Sequence, residues 1–132
     1  MTKWLNSLQP FGALLMRVVL GVSMVMHSYE KVIPHGALNH YAHYIVSLGM
    51  PYWLGYVSAF TEFAGGILLI LGLLTRFAAF MISINMAFAI ILVNRHHGYS
   101  GSQYSLALLV VAMMLVVYGA GTLALDRKIG FA

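Results

Sequence analysis

Four apolar stretches run along the chain, separated by short polar breaks. The first extends from about Phe11 to Val32 and stops before Pro34; the second, from about Trp53 to Leu74, is started by Pro51 and ended by Thr75-Arg76. The third follows at once, from about Phe77 to Val93, so only a tight hairpin can join it to the second. The fourth runs from about Tyr104 to Leu125 and ends at Asp126-Arg127-Lys128. A helix rising 1.5 Å per residue needs roughly 17–25 apolar residues to cross about 30 Å of hydrocarbon. The pattern therefore predicts four transmembrane helices (spans 11–32, 53–74, 77–93 and 104–125) in a single all-α domain over residues 1–132.

One segment breaks this rhythm. In GALNHYAHYIVSLG, Leu38, Tyr41, Ala42, Ile45 and Leu48 recur at helical spacing, while Asn39, His40, His43 and Ser47 fall on the other face. Such a helix is amphipathic and too short to span, so it is expected to lie flat at the membrane interface between the first two spans. The stretch NRHHGYSGSQ, with its Gly and Ser residues, reads as the loop between the last two.

Composition supports the membrane reading. Of 132 residues, 61% are hydrophobic and only 8% charged, whereas a soluble domain carries about 25% charged residues. The net charge of +4 does not point to nucleic acid, because the basic residues are scattered at the ends of apolar runs rather than clustered. Their distribution predicts orientation instead. Lys3, Arg76, Arg127 and Lys128 share one side and Lys31 and Arg95 the other, which puts both termini in the cytoplasm. Most of the tyrosines, with Trp53, crowd the outer side as an aromatic belt. The first apolar run exceeds a signal-peptide core and lacks a small-x-small cleavage site, so it is expected to be retained. Cysteine is absent, which removes thiolate catalysis and cysteine-ligated centres.

Polar residues inside the spans are the candidates for chemistry. Arg17, Gly21, Met24, Ser28 and Lys31 form one stripe of the first span, with His27 at its edge. Gly55, Ser58, Glu62, Gly66 and Leu69 share a face of the second. The third contributes Asn85 and the fourth Ser105. Glu62 stands out, since an ionised carboxylate at mid-membrane costs roughly 2.5–3.5 kcal/mol on insertion scales unless neutralised, paired or hydrated. It is expected to face the interior and to bond Arg17, His27 or both. Two readings stay open: a polar lock fixing helix register, or a proton-handling, ligand-orienting carboxylate in a small pocket. His40 and His43 have a metal-compatible spacing, but no HExxH pattern or neighbouring carboxylate completes a site, so no metal is assigned and they read as solvated interfacial histidines. The nine methionines read as flexible core filling. No GxSxG, Walker A or GxGxxG element occurs.

Taken together, RVVLG from Arg17 to Gly21, His27 and Lys31 in an HGxxK-like arrangement, EFAGGILLILGLLTR from Glu62 to Arg76, GYSGSQYSLALLV, and GAGTLALD closing at Asp126 resemble the DoxX family of small bacterial membrane proteins. The resemblance covers nearly the whole chain in the family's order and is most specific between Glu62 and Arg76. Ser28 stands where the family often has Gly, and Ala124 where it often has Ser. The resemblance implies a four-helix bundle in the bacterial cytoplasmic (inner) membrane. It also implies a link to redox chemistry, since the family includes a subunit of thiosulfate:quinone oxidoreductase. From it follow two expectations. One is a component of a membrane redox system acting with quinone or a similar apolar ligand, oriented by Arg17, His27, Lys31 and Glu62. The other is a non-catalytic accessory subunit of a larger membrane complex. The expected partners are lipid and other membrane subunits or further copies of the chain, and no nucleic acid. A transporter fits less well, because no inverted repeat is evident.

Overall fold

The computed structural model describes residues 2–97, 103–121 and 123–130, with side chains at all of these except 93–97 and 127. The described residues are helical apart from short connections. In chain order the helices are α1 (Thr2–Ser7), α2 (Gln9–Val32), α3 (Ala37–Ser47), α4 (Tyr52–Leu71), α5 (Thr75–His97), α6 (Gln103–Tyr118) and α7 (Leu125–Ile129). Three are long and apolar enough to cross a membrane: α2, α4 and the Thr75–Leu92 part of α5.

Their ends follow from local chemistry. Pro10 opens α2, where its missing N–H costs no intrahelical bond. Pro34 has no N–H to give to a carbonyl one turn back, and α2 stops at Val32. Pro51, in extended conformation, precedes α4. Gly72, left-handed at φ +72°, closes it, with the Leu73 N–H bonding back to the Leu68 carbonyl at 2.9 Å.

The fourth apolar run differs from the expectation. Its helix, α6, ends at Tyr118 rather than continuing to Leu125. Gly119 (φ +100°) and Gly121 (φ +75°) turn the backbone into the left-handed region that glycine tolerates, and the chain leaves the helix there. Sixteen residues rise only about 24 Å. The expected loop NRHHGYSGSQ also starts late: α5 runs on through His97, Gln103 opens α6, and residues 98–102 lie outside the described residues.

The packing is inverted relative to a water-soluble bundle. Arg17, Ser28, Glu62, Thr75 and Asp126 are buried, while Leu15, Val19, Met26, Phe60, Phe77, Phe80, Phe88 and Val117 lie exposed on the outside. A surface of that kind suits a hydrocarbon solvent. Helix contact instead rests on small residues. Gly21 of α2 meets Gly66 of α4 so closely that a Cβ at either position would lie 2.7–2.8 Å from the other's carbonyl oxygen. Gly55 of α4 likewise admits Ala42, which docks α3. Leu20, Met24, Leu69, Ala79, Ile82, Met86, Ala112 and Leu115 fill the core between α2, α4, α5 and α6.

Candidate functional site: a buried ion pair on an apolar cavity

The contact of Gly21 with Gly66 sets the register of the antiparallel α2–α4 pair and places Glu62 level with Val25. Lys31 then starts about 9 Å from that level along the axis, and Arg17 about 12 Å on the other side. Lys31 is the residue that reaches. Its Nζ lies 3.2 Å from Glu62 Oε2 and 3.4 Å from Oε1, with the carboxylate side chain 3% exposed and the lysine 19%.

The expected bonds from Arg17 and His27 to Glu62 are not found among the described residues. Arg17 turns to the opposite end of the bundle. Its Nη1 donates to the Ala120 carbonyl and its Nη2 to that of Leu123, both at 2.9 Å. Those carbonyls are free because the glycine turns after Tyr118 end the helix without intrahelical partners. Asp126 completes this end. Its carboxylate accepts from the backbone N–H groups of Leu74 (2.6 Å) and Thr75 (2.8 Å), capping α5. It thereby also holds Leu74 at φ +49°, a left-handed conformation uncommon for leucine. The four expected site residues thus separate. Lys31 and Glu62 pair, His27 lines the same cavity with its ring 6.0 Å from that of Tyr104, and Arg17 belongs to a distinct clasp.

Two further side chains join the pair. Asn85 Nδ2, from α5, donates to Glu62 Oε1 at 2.8 Å, and Ser58 Oγ, from α4, donates to Asn85 Oδ1 at 2.6 Å. The Ser58 hydroxyl has one proton, so the 3.2 Å contact with Tyr41 of α3 is donated by the tyrosine. The Tyr41 ring returns to the start of the chain, with Lys31 Nζ 4.2 Å from its centroid in a cation–π contact. Every hydrogen bond in this ring runs toward Glu62, as an ionised, acceptor-only carboxylate requires. Sequence reading set Ser58 and Asn85 on inward faces and Tyr41 on the apolar face of α3, but did not join them to Glu62. An asparagine in the apolar middle of α5 was the signal for it.

The ring forms one wall of a cavity of about 510 Å³, within the ~300–1,000 Å³ typical of ligand sites. The remaining walls are mostly apolar: Ile45 of α3 and Leu48 just after it, Leu54 and Val57 of α4, Met81, Ile84, Phe88 and Leu92 of α5. The positions facing it on α4 (54, 57, 58, 61, 62) make one helical face, and α5 lines it with 81, 84, 85, 86, 88, 89 and 92. Above it α3 is fastened to α4 by Asn39 Oδ1, which accepts from the hydroxyls of both Tyr52 and Tyr56, and the His43 ring lies 5.3 Å from that of Tyr52. Among the described residues, no group of three or more His, Cys, Asp or Glu side chains could hold a metal ion.

The family model of DoxX matches residues 12–95, a stretch that includes α3, α4 and every member of the polar ring. The chain belongs to the DoxX family. Among its relatives, a Bacillus subtilis protein named "Putative oxidoreductase CatD" is 29% identical over 123 residues, covering 92% of this chain and 90% of that one. An uncharacterized Haemophilus influenzae protein is 33% identical over 133 residues, covering 94% and 95% respectively. No solved structure gives a significant match. DoxX membership and three apolar helices make this a multi-pass membrane protein.

Proposed function

We propose that this DoxX protein is a component of a membrane redox system and that its cavity receives the head of a quinone or a similar apolar ligand. The observation that carries this reading is a hydrogen-bonded Lys31–Glu62 pair set in the wall of an otherwise apolar cavity. An ammonium has three donors and no acceptor, and an ionised carboxylate only acceptors. Side by side, they match a ligand that alternates between carbonyl and hydroxyl forms. Lys31 would donate to a carbonyl oxygen. Glu62 would accept a hydroxyl proton, with Asn85 and Ser58 fixing its orientation. A bound quinone supplies two-electron, two-proton chemistry; the chain's own residues position its head and exchange protons with it. The chain has no cysteine, so its own thiols carry no electrons and a partner or bound cofactor supplies them, consistent with the word oxidoreductase in the name of the Bacillus relative.

In the topology that goes with this reading, α6 is the fourth span of a four-helix bundle in the bacterial inner membrane. Both termini are cytoplasmic on the Lys/Arg count, and α3 lies at the outer interface. The ring satisfies its own hydrogen bonds, which also favours a second reading, a structural lock in an accessory subunit. Binding separates the two. Purified protein in nanodiscs, titrated with a decyl-tailed benzoquinone, is expected to show saturable uptake that Glu62→Gln weakens about tenfold while the variant stays folded. Absence of saturable binding to the unaltered protein refutes the ligand reading and leaves the lock.

A further inference from the structure

The cavity is walled unevenly. Toward the end that carries the Arg17 clasp it is closed where Gly65 of α4 packs on Ile82 of α5, a Cβ at Gly65 meeting that side chain at 3.1 Å. Beyond this contact the two helices are joined on the cavity side by Asn85, which bonds Glu62 and Ser58. Side chains of α2, α3 and the first turn of α6 line other sides. The side between α4 and α5 is bounded by Val57, Ile84 and Phe88, which remain 48%, 39% and 50% exposed. These three are continuous with the exposed apolar exterior of the same helices, where Phe60, Phe80 and Ile91 lie. In a membrane that exterior faces acyl chains.

We infer that the gap between α4 and α5 is a lateral mouth opening into the bilayer, and that the ligand is an amphiphile with a hydrogen-bonding head at Lys31–Glu62 and an unbranched or isoprenoid tail leaving past Val57, Ile84 and Phe88. The head side of the cavity supplies a charged pair, and the mouth supplies only carbon. Burial of a tail here gains little over lipid, since both surroundings are apolar. The mouth thus serves passage and orientation: a tail left in the lipid lets the head reach the pair without crossing the surface beneath α3. A tail-less polar molecule would need another way in.

This inference rests on the ligand reading above, and its tests keep the two apart. In nanodiscs, two probes sharing one methoxylated benzoquinone head, one bare and one with a decyl tail, are titrated against unaltered protein and Val57→Trp. The indole overfills the mouth. The decyl probe, referenced to its concentration in the lipid, is expected to weaken about tenfold more than the bare head in Val57→Trp. Equal weakening of both, or of neither, overturns the mouth. A second measurement needs no quinone. The chain is free of cysteine, so Thr61→Cys, on the cavity wall, takes a single bimane label. Brominated acyl chains are expected to quench that label, and Val57→Phe, a larger side chain that does not itself quench bimane, to halve the quenching at least. If neither quinone binds but quenching behaves so, the mouth stands and the quinone reading falls. If the label is not quenched, the mouth is refuted whatever binds.

Discussion

Replacing Lys31 by methionine isolates the central interaction of the site. The substitution keeps the length and apolar stem of the side chain and removes only the ammonium. Glu62, its side chain 3% exposed, is then left with the single neutral donor from Asn85 at 2.8 Å. Breaking a fully buried pair from one side costs about 3–5 kcal/mol. Lys31 is 19% exposed, so water still reaches this end of the pair and the expectation falls to about 2–4 kcal/mol. Glu62→Gln is milder, at about 1–2 kcal/mol, because the amide still offers Asn85 an acceptor and Lys31 can extend toward the surface. The double variant removes both charges and leaves neither unpaired. It should lie only about 1–3 kcal/mol below the unaltered protein, giving a coupling energy near ~2 kcal/mol. The assay is reversible unfolding in mixed micelles by increasing the mole fraction of dodecyl sulfate, followed by circular dichroism. Additivity of the two single changes within about 0.5 kcal/mol would refute the pairing.

Other consequences follow from the remaining contacts. Gly66→Val places a Cβ 2.8 Å from the Gly21 carbonyl oxygen. The same unfolding assay should register a loss of about 3 kcal/mol, at the upper end of overpacking costs. Arg17→Lys keeps the charge but cannot hold the Ala120 and Leu123 carbonyls in a fork. Amide exchange is expected to speed up selectively in 119–126 and to stay slow around Glu62. Asp126→Ala removes both caps from the start of α5. That loss should cost about 1–2 kcal/mol, with Asp126→Asn losing less than half of it.

What could be read from the sequence was local or periodic. Pro34 and Pro51 mark the end of α2 and the start of α4 without any knowledge of tertiary structure, and the inward stripe of α4 already holds both Gly66 and Glu62. Two things escaped. The end of α6 is set by backbone dihedrals at Gly119 and Gly121, and a hydropathy profile sees an unbroken apolar run through them. The partner of Glu62 depends on which long side chain finds other acceptors first. Arg17 gives both terminal nitrogens to carbonyls 103 and 106 residues away, and nothing local to Arg17 announces them. Asn85 and Ser58 escaped as a pair for a related reason: each is an ordinary inward-facing polar residue until α4 and α5 are laid side by side.

The Arg17 clasp has a consequence in time. During synthesis Arg17 emerges in the first apolar helix, whereas the carbonyls that receive it are made near the end of the chain. Until residues 120–123 have left the ribosome, the bilayer holds an arginine with no partner, a state costing roughly 2.5–3.5 kcal/mol on insertion scales. The contact is therefore a late latch, closed only when the turn carrying Ala120 and Leu123 reaches Arg17. A chain cut short before Ala120 keeps that arginine without either carbonyl.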